Sequence, residues 1–427
     1  MILIPLFIIA VMGFLSVRLL VRNQITLSLQ IVLGGILGFC LAGFIVFFQL
    51  VSLNKTNPLI TIIISLIIII ILALLNQRMA FKPSLQLTKN QIITLVTVNI
   101  FMAIVLVLQA TNFPLGGWDA WSCWNLKASF IFLNGDGWRE IFRPELWRSN
   151  THYPLLLPSI VTFGWQWLGS NTQSWPLACA VIFTLLTMNL ISITCMTLGV
   201  HVAIAIGLSV LIFSVPFCTM LAISQYSDIL VGLLTLAAFS TWLCARQNFS
   251  LKILCALFIG FLSFTKTEGL VAALLLAILL LIIDKECRRP TWFLALALSG
   301  FATLIFQLTM APHNEAFING LTATAKPTTL ERLSIIAVYP WLEIINLKWQ
   351  GLWLLLTAWL MINVKNAIRF PYNTIGIFIL GYLGIVAAYY GINTFFEITW
   401  WLNTTLHRII FALLPLFALW VGLASKK

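Results

Sequence analysis

Apolar runs separated by short polar breaks recur along the whole chain. From Leu59 to Leu75 only Thr61 and Ser65 interrupt the aliphatic side chains. A helix of that length crosses a hydrocarbon core about 30 Å thick. The pattern predicts spans at 2–17, 26–49, 58–75, 91–110, 175–198, 201–222, 227–244, 252–265, 269–284, 291–311, 349–364, 374–392 and 408–424. The fold class is therefore an all-α polytopic membrane protein with about 13 transmembrane helices. Three loops, 111–174, 312–348 and 393–407, separate these spans most widely.

Basic residues between the runs orient the chain. Arg18 with Arg22, then Arg78, Lys82 and Lys89, Arg246 with Lys252, Lys285 with Arg288 and Arg289, Lys365 with Arg369, and Lys426-Lys427 form the clusters. Placed together on the cytoplasmic side, they put the N-terminus and the three wide loops outside and the C-terminus inside. The alternation closes only if the apolar segment 152–168 does not cross. It is expected to lie at the interface or to re-enter, with Trp165 and Trp167 in an aromatic belt. The junction Phe264–Gly269 joins two runs short for full crossings, and a charged break of that kind lines a cavity rather than facing lipid.

Composition narrows the class. The chain has 427 residues, 61% hydrophobic and 8% charged, with a mean hydropathy of +1.03; a soluble globular protein carries about 25% charged residues. The net charge of +12 comes from the loop clusters and forms no basic stripe with interleaved aromatics, so nucleic acid is not an expected partner, whereas membrane lipids are. Eight cysteines lie mostly inside apolar runs without a CxxC pair, which suits small buried hydrophobes rather than disulfides or a thiolate metal site. The run Met1–Val17 lacks a basic leader and an Ala-x-Ala site, and is expected to stay as a helix. Walker, Rossmann and HExxH patterns are missing.

With charges so rare, each ionisable residue near a span end is a candidate for chemistry. Asp119 stands between Trp118 and Trp121 and is read as a general base or a cation ligand, against the alternative of a helix cap. His152 opens the segment His152-Tyr153-Pro154 as a candidate ligand-binding histidine. Asp228, in Ser224-Gln225-Tyr226-Ser227-Asp228, is either an N-cap or a second carboxylate across a cavity from Asp119. Lys266 and Glu268 either neutralise each other or use the helix break for binding, Lys266 as a phosphate contact. His407 and Arg408 precede the last predicted span, where Arg408 either snorkels to headgroups or forks onto a phosphate. Metal ligation is not defined by any spacing here, although a divalent cation is a candidate cofactor at the acids.

The order of these motifs resembles GT-C superfamily integral membrane glycosyltransferases. The resemblance rests on the Trp-Asp-x-Trp stretch, His152-Tyr153-Pro154-Leu155-Leu156-Leu157-Pro158, Tyr226-Ser227-Asp228, Thr265-Lys266-Thr267-Glu268-Gly269 and Trp401-Leu402-Asn403-Thr404-Thr405-Leu406-His407-Arg408. It is similar above all to the bacterial branch akin to protein O-mannosyltransferases and the lipid A aminoarabinose transferase. It covers about residues 91–427, leaving 1–90 as N-terminal helices of unassigned role. The resemblance implies a GT-C-like arrangement with outer-face juxtamembrane helices. It implies sugar transfer from a polyprenyl-phosphate donor to a hydroxyl of a lipid, glycan or protein, outside a bacterial inner membrane. Asp119 would be the base, Arg408 with Lys266 would hold the donor phosphate, and inversion would follow from single displacement. No second acid adjoins Asp119, so Asp228 or Glu268 is expected to supply it. The rival expectations are a transporter or flippase of lipid-linked sugars and a non-catalytic assembly partner.

Overall fold

The structure, a computed structural model, describes residues 2–22, 24–77, 87–245, 248–321 and 329–426; Arg78, Lys82, Arg246 and Lys427 lie outside the described residues. Among these there is no β-strand. Nine helices are long and apolar enough to cross a membrane, or ten with one bent pair counted as a span. The chain is a multi-pass membrane protein. None of the eight cysteines forms a disulfide, and all but Cys244 are buried.

Local chemistry explains the ends of several helices. Thr26 and Thr88 accept backbone N–H groups at the starts of Leu27–Leu53 and Lys89–Ala110, and Gln91 closes a capping box with Thr88. Glycine then lets helices meet closely: a Cβ on Gly13 would fall on the carbonyl of Gly34, and one on Gly38 on that of Ile9. Leu3–Val21 thus lies against Leu27–Leu53, which also packs on Leu156–Leu168. A polar thread crosses this packing, since Gln49 Nε2 donates to Thr61 Oγ1 at 2.6 Å and Thr61 donates to Gln166 Oε1 at 2.6 Å. Pro58–Gln77 and Lys89–Ala110 keep most of their aliphatic surface exposed, as acyl-chain contact requires.

Four of the predicted spans differ from simple crossings. The run 201–222 breaks into Val202–Ser214 and Pro216–Ile223 at 79°, because Pro216 has no N–H to continue the first helix. Phe249–Ser263, Thr267–Ile283 and Leu352–Ile362 are helices of 15, 17 and 11 residues, shorter than the long apolar set. The last helix starts earlier than expected, at Ile398, and runs to Ala424. Glu397 caps it, accepting from the Thr399 and Trp400 amides, so the polar run Asn403–His407 is helical and the loop before it is short.

The segment 152–168 is enclosed by its neighbours. Its helix, Leu156–Leu168, has 13 residues and reaches about 20 Å at ~1.5 Å per residue, too little to cross. Leu156 through Gln166 are all buried against the rest of the protein. Trp165, assigned to an aromatic belt, is buried and donates its indole N–H to the Thr172 carbonyl at 2.8 Å. A Cβ on Gly164 would overlap the Trp175 ring, so this glycine admits the neighbouring helix. This helix, buried on every side, sits inside the bundle.

Candidate functional site

Asp119 sits just ahead of a single π-turn, Ala120–Trp124, that leads into the helix Asn125–Leu133. Its carboxylate makes no capping bond to that turn. Instead Asp119 Oδ2 accepts from Arg408 Nη1 at 2.6 Å, across 289 positions of sequence. Arg408 turns its other edge to Asp228, donating from Nε at 3.0 Å and Nη2 at 2.8 Å to Oδ2. Asp228 Oδ1 accepts from Lys266 Nζ at 2.9 Å, and Lys266 lies 3.1 Å from Glu268 Oε1. The result is a continuous chain, Asp119–Arg408–Asp228–Lys266–Glu268. Three carboxylates against two cations leave it a formal charge of −1.

Each link follows from local structure. Arg408 projects from the long final helix, and Asp228 from the first turn of Ser227–Ala245, which is almost wholly buried. Lys266 is an extended residue at the break between Phe249–Ser263 and Thr267–Ile283, so the charged junction does face inward as expected. The Tyr226 ring lies 4.3 Å from the Arg408 guanidinium, close enough for a cation–π contact. Burial grades along the chain: the side chains of Asp228 and Lys266 are 5% and 4% exposed, those of Arg408, Asp119 and Glu268 13%, 19% and 24%. The middle of the chain is the most enclosed part, and both ends, Asp119 and Glu268, are more accessible.

A cross-brace holds the Asp119 loop on Ser227–Ala245. The Gly117 amide donates to the Ser224 carbonyl at 3.0 Å. Gln225, at a φ of 59°, donates to the Pro114 carbonyl at 3.2 Å and accepts from Asn125 Nδ2 at 2.8 Å. Gly116 has a φ of +71°, and a Cβ there would meet the Ser224 carbonyl oxygen at 2.6 Å, so glycine is required.

Sequence reasoning gave no role to Lys127, which is fully buried and, among the described residues, pairs with no carboxylate. Its Nζ donates to the carbonyls of Asn150 at 2.7 Å and Tyr153 at 3.1 Å. It also lies 5.6 Å and 5.7 Å from the Trp124 and Tyr153 ring centres, which stack on one another at 5.4 Å. Burial lowers the pKa of this amine. The other face of the site is reached through the same tyrosine, since Lys266 Nζ is 5.7 Å from its ring. Backbone carbonyls leave no side-chain signature, so nothing in the sequence marked this lysine.

His152 packs edge-on against Tyr153 at 4.7 Å. Burial, and then the charge of Lys127, push its pKa down to about 3. An unfolded chain binds that proton near pH 6.5, so acid favours the unfolded state. The stabilisation is complete above pH ~6.5 and declines as the pH falls toward 3. His152→Asn is expected to flatten the decline in melting temperature between pH 7 and 4; an unchanged slope in the variant would assign it elsewhere.

The remaining candidates make other contacts. Trp118 and Trp121, expected to wall the carboxylate, pack edge-to-face on each other at 4.4 Å and are 66% and 44% exposed. His407 faces Phe217 at 5.8 Å, because successive residues on a helix point about 100° apart. Near it, Lys348 pairs with buried Glu343 at 2.7 Å, and Trp349 Nε1 donates to Glu343 at 2.9 Å. Among the described residues no group of three or more His, Cys, Asp or Glu side chains could hold a metal ion. The converging carboxylates are tied to Arg408 and Lys266, so this ligand set does not fit a divalent cation.

The two ends of Ser227–Ala245 differ in charge. Asp228 begins it, whereas Trp242, near its other end, donates to Asp284 at 3.0 Å, and Lys252 pairs with Asp284 at 2.7 Å. Lys285, Arg288 and Arg289 follow directly in sequence. The ion chain and a basic cluster thus occupy opposite ends of one helix. Comparison with protein-family models, with curated proteins and with solved structures finds no match to this chain.

Proposed function

We propose that this protein is a glycosyltransferase that moves a sugar from a polyprenyl-phosphate donor to a hydroxyl acceptor by inverting single displacement. The observation that carries the reading is the 2.6 Å contact between Asp119 and Arg408, a half-buried acid beside a guanidinium in a membrane bundle. Asp119 takes the proton of the acceptor hydroxyl. The acceptor oxygen bonds to the anomeric carbon while the bond from that carbon to the phosphate oxygen breaks. The electron pair leaves with the polyprenyl phosphate, whose added charge Arg408 meets with planar donors. Asp228 holds Arg408 from behind and Lys266 holds Asp228.

The basic cluster at the far end of Ser227–Ala245 supports an outward-facing site under the positive-inside rule. By that rule the site faces the periplasm of a bacterial inner membrane. The GT-C resemblance is consistent with this orientation and with a lipid, glycan or protein acceptor.

The test uses purified protein in proteoliposomes, a panel of radiolabelled polyprenyl-phosphate sugars and mixed acceptors. Release of free polyprenyl phosphate together with a labelled product is the expected result. Movement of intact labelled donor between leaflets, with no cleavage, would replace the enzyme by a flippase.

A further inference from the structure

In the ion chain the guanidinium of Arg408 is already occupied on both sides. Nη1 serves Asp119, and Nε with Nη2 serves Asp228. A donor phosphate therefore meets an arginine with three of its five N–H groups engaged and both carboxylates already drawn to it. Charge sharpens the conflict: the chain already carries −1, and a phosphodiester would add another negative charge beside it.

The two carboxylates do not hold Arg408 equally. Asp228 takes two of its N–H groups and one of Lys266, sits on a buried helix and is 5% exposed. Asp119 takes one N–H, is 19% exposed, and stands at the start of a short helical segment rather than inside a long buried helix. The contact that yields is the one to Asp119.

Resting on the sugar-transfer reading, we propose that donor binding and base activation are a single exchange: the donor's phosphodiester takes the place of Asp119 on Arg408, and the freed Asp119 carboxylate then accepts the acceptor proton. One monoanion replaces another, so the charge around the arginine is unchanged by binding. During transfer the proton moves from the acceptor to Asp119 while the leaving phosphate gains one negative charge, so total charge is conserved. Without donor, Asp119 stays locked on Arg408 and an acceptor hydroxyl finds no free base. Donor binding must then precede acceptor activation.

The exchange makes an unusual demand on a base. Removing its charge should tighten phosphate binding, because the competing carboxylate is gone. The probes are farnesyl phosphate, inorganic phosphate and a glycerophospholipid monoester, phosphatidic acid, each titrated against full-length protein in nanodiscs by tryptophan fluorescence. Asp119→Asn is expected to bind its preferred phosphate about tenfold more tightly than wild type, as for any variant relieved of a competing closed state. Asp119→Ala serves as the second variant, and Arg408→Lys should weaken binding by about tenfold or more. Unchanged or weaker binding in both Asp119 variants, with Arg408→Lys still weakened, overturns the exchange and leaves the transfer reading standing. Phosphate binding indifferent to Arg408 removes both. Tightening for farnesyl phosphate alone identifies an isoprenyl donor, tightening for inorganic phosphate identifies phosphate as the recognised group, and tightening only for phosphatidic acid keeps the exchange but removes the isoprenyl donor.

Discussion

Arg408→Ala is expected to lower the stability of the folded protein by about 3–5 kcal/mol, the range for breaking a buried ion pair from one side. Among the described residues Arg408 is the only cation that pairs with Asp119, and with Lys266 it is one of two that pair with Asp228. Its loss leaves three carboxylates around a single lysine. Asp228 cannot relax into water, since its side chain is 5% exposed. Hydrogen bonds lost on the arginine side add to the charge imbalance. The double variant Arg408→Ala/Asp228→Asn should recover part of the loss by removing one stranded charge. Thermal unfolding in detergent, followed by tryptophan fluorescence, reads both effects. A loss below about 1 kcal/mol for the single variant, within the range of an exposed pair, would show that the chain contributes little to the bundle.

Asp119→Asn separates function from that stability. The amide keeps the shape of the carboxylate and a carbonyl oxygen for Arg408, and Asp228 keeps both of its arginine bonds. Its melting temperature should stay near wild type. Transfer should fall by about 10²–10⁴-fold, the usual contribution of a positioned general base. Single-turnover release of polyprenyl phosphate measures the fall. A variant with more than half the wild-type rate would remove Asp119 from the chemistry, whatever its effect on binding.

Much of the fold was legible because helix length and hydropathy depend on neighbours in sequence. The break at Thr265–Glu268 appeared as two short apolar runs around charges, and the structure has two helices meeting there with Lys266 turned inward. The 79° bend was announced by Pro216, but the surrounding apolar run concealed it. The start of the last helix was misplaced because Asn403, Thr404 and Thr405 look like loop residues. In the helix Thr404 and Thr405 bond back to Trp400 and Trp401 carbonyls, which hides their polarity. Trp165 was misassigned because a tryptophan at a helix end suits an interface and a core equally well until its neighbours are known.

The site was legible by scarcity. In a chain with 12 acidic residues, Asp119, Asp228 and Glu268 stood out singly. Their sharing of Arg408 and Lys266 was not legible, because partners 180 and 289 positions apart obey no local period. Trp118 and Trp121 stood out by adjacency, and their packing on each other was not legible from it.

The Gln225 brace bears on how this protein can be rebuilt. The Asp119 loop is pinned through Pro114, Gly117 and Asn125 to a turn more than a hundred residues downstream. Any chimera that exchanges this loop must carry Ser224, Gln225 and Tyr226 with it. The two stretches form one transplantable cassette, and sequence drift in either is constrained by the other.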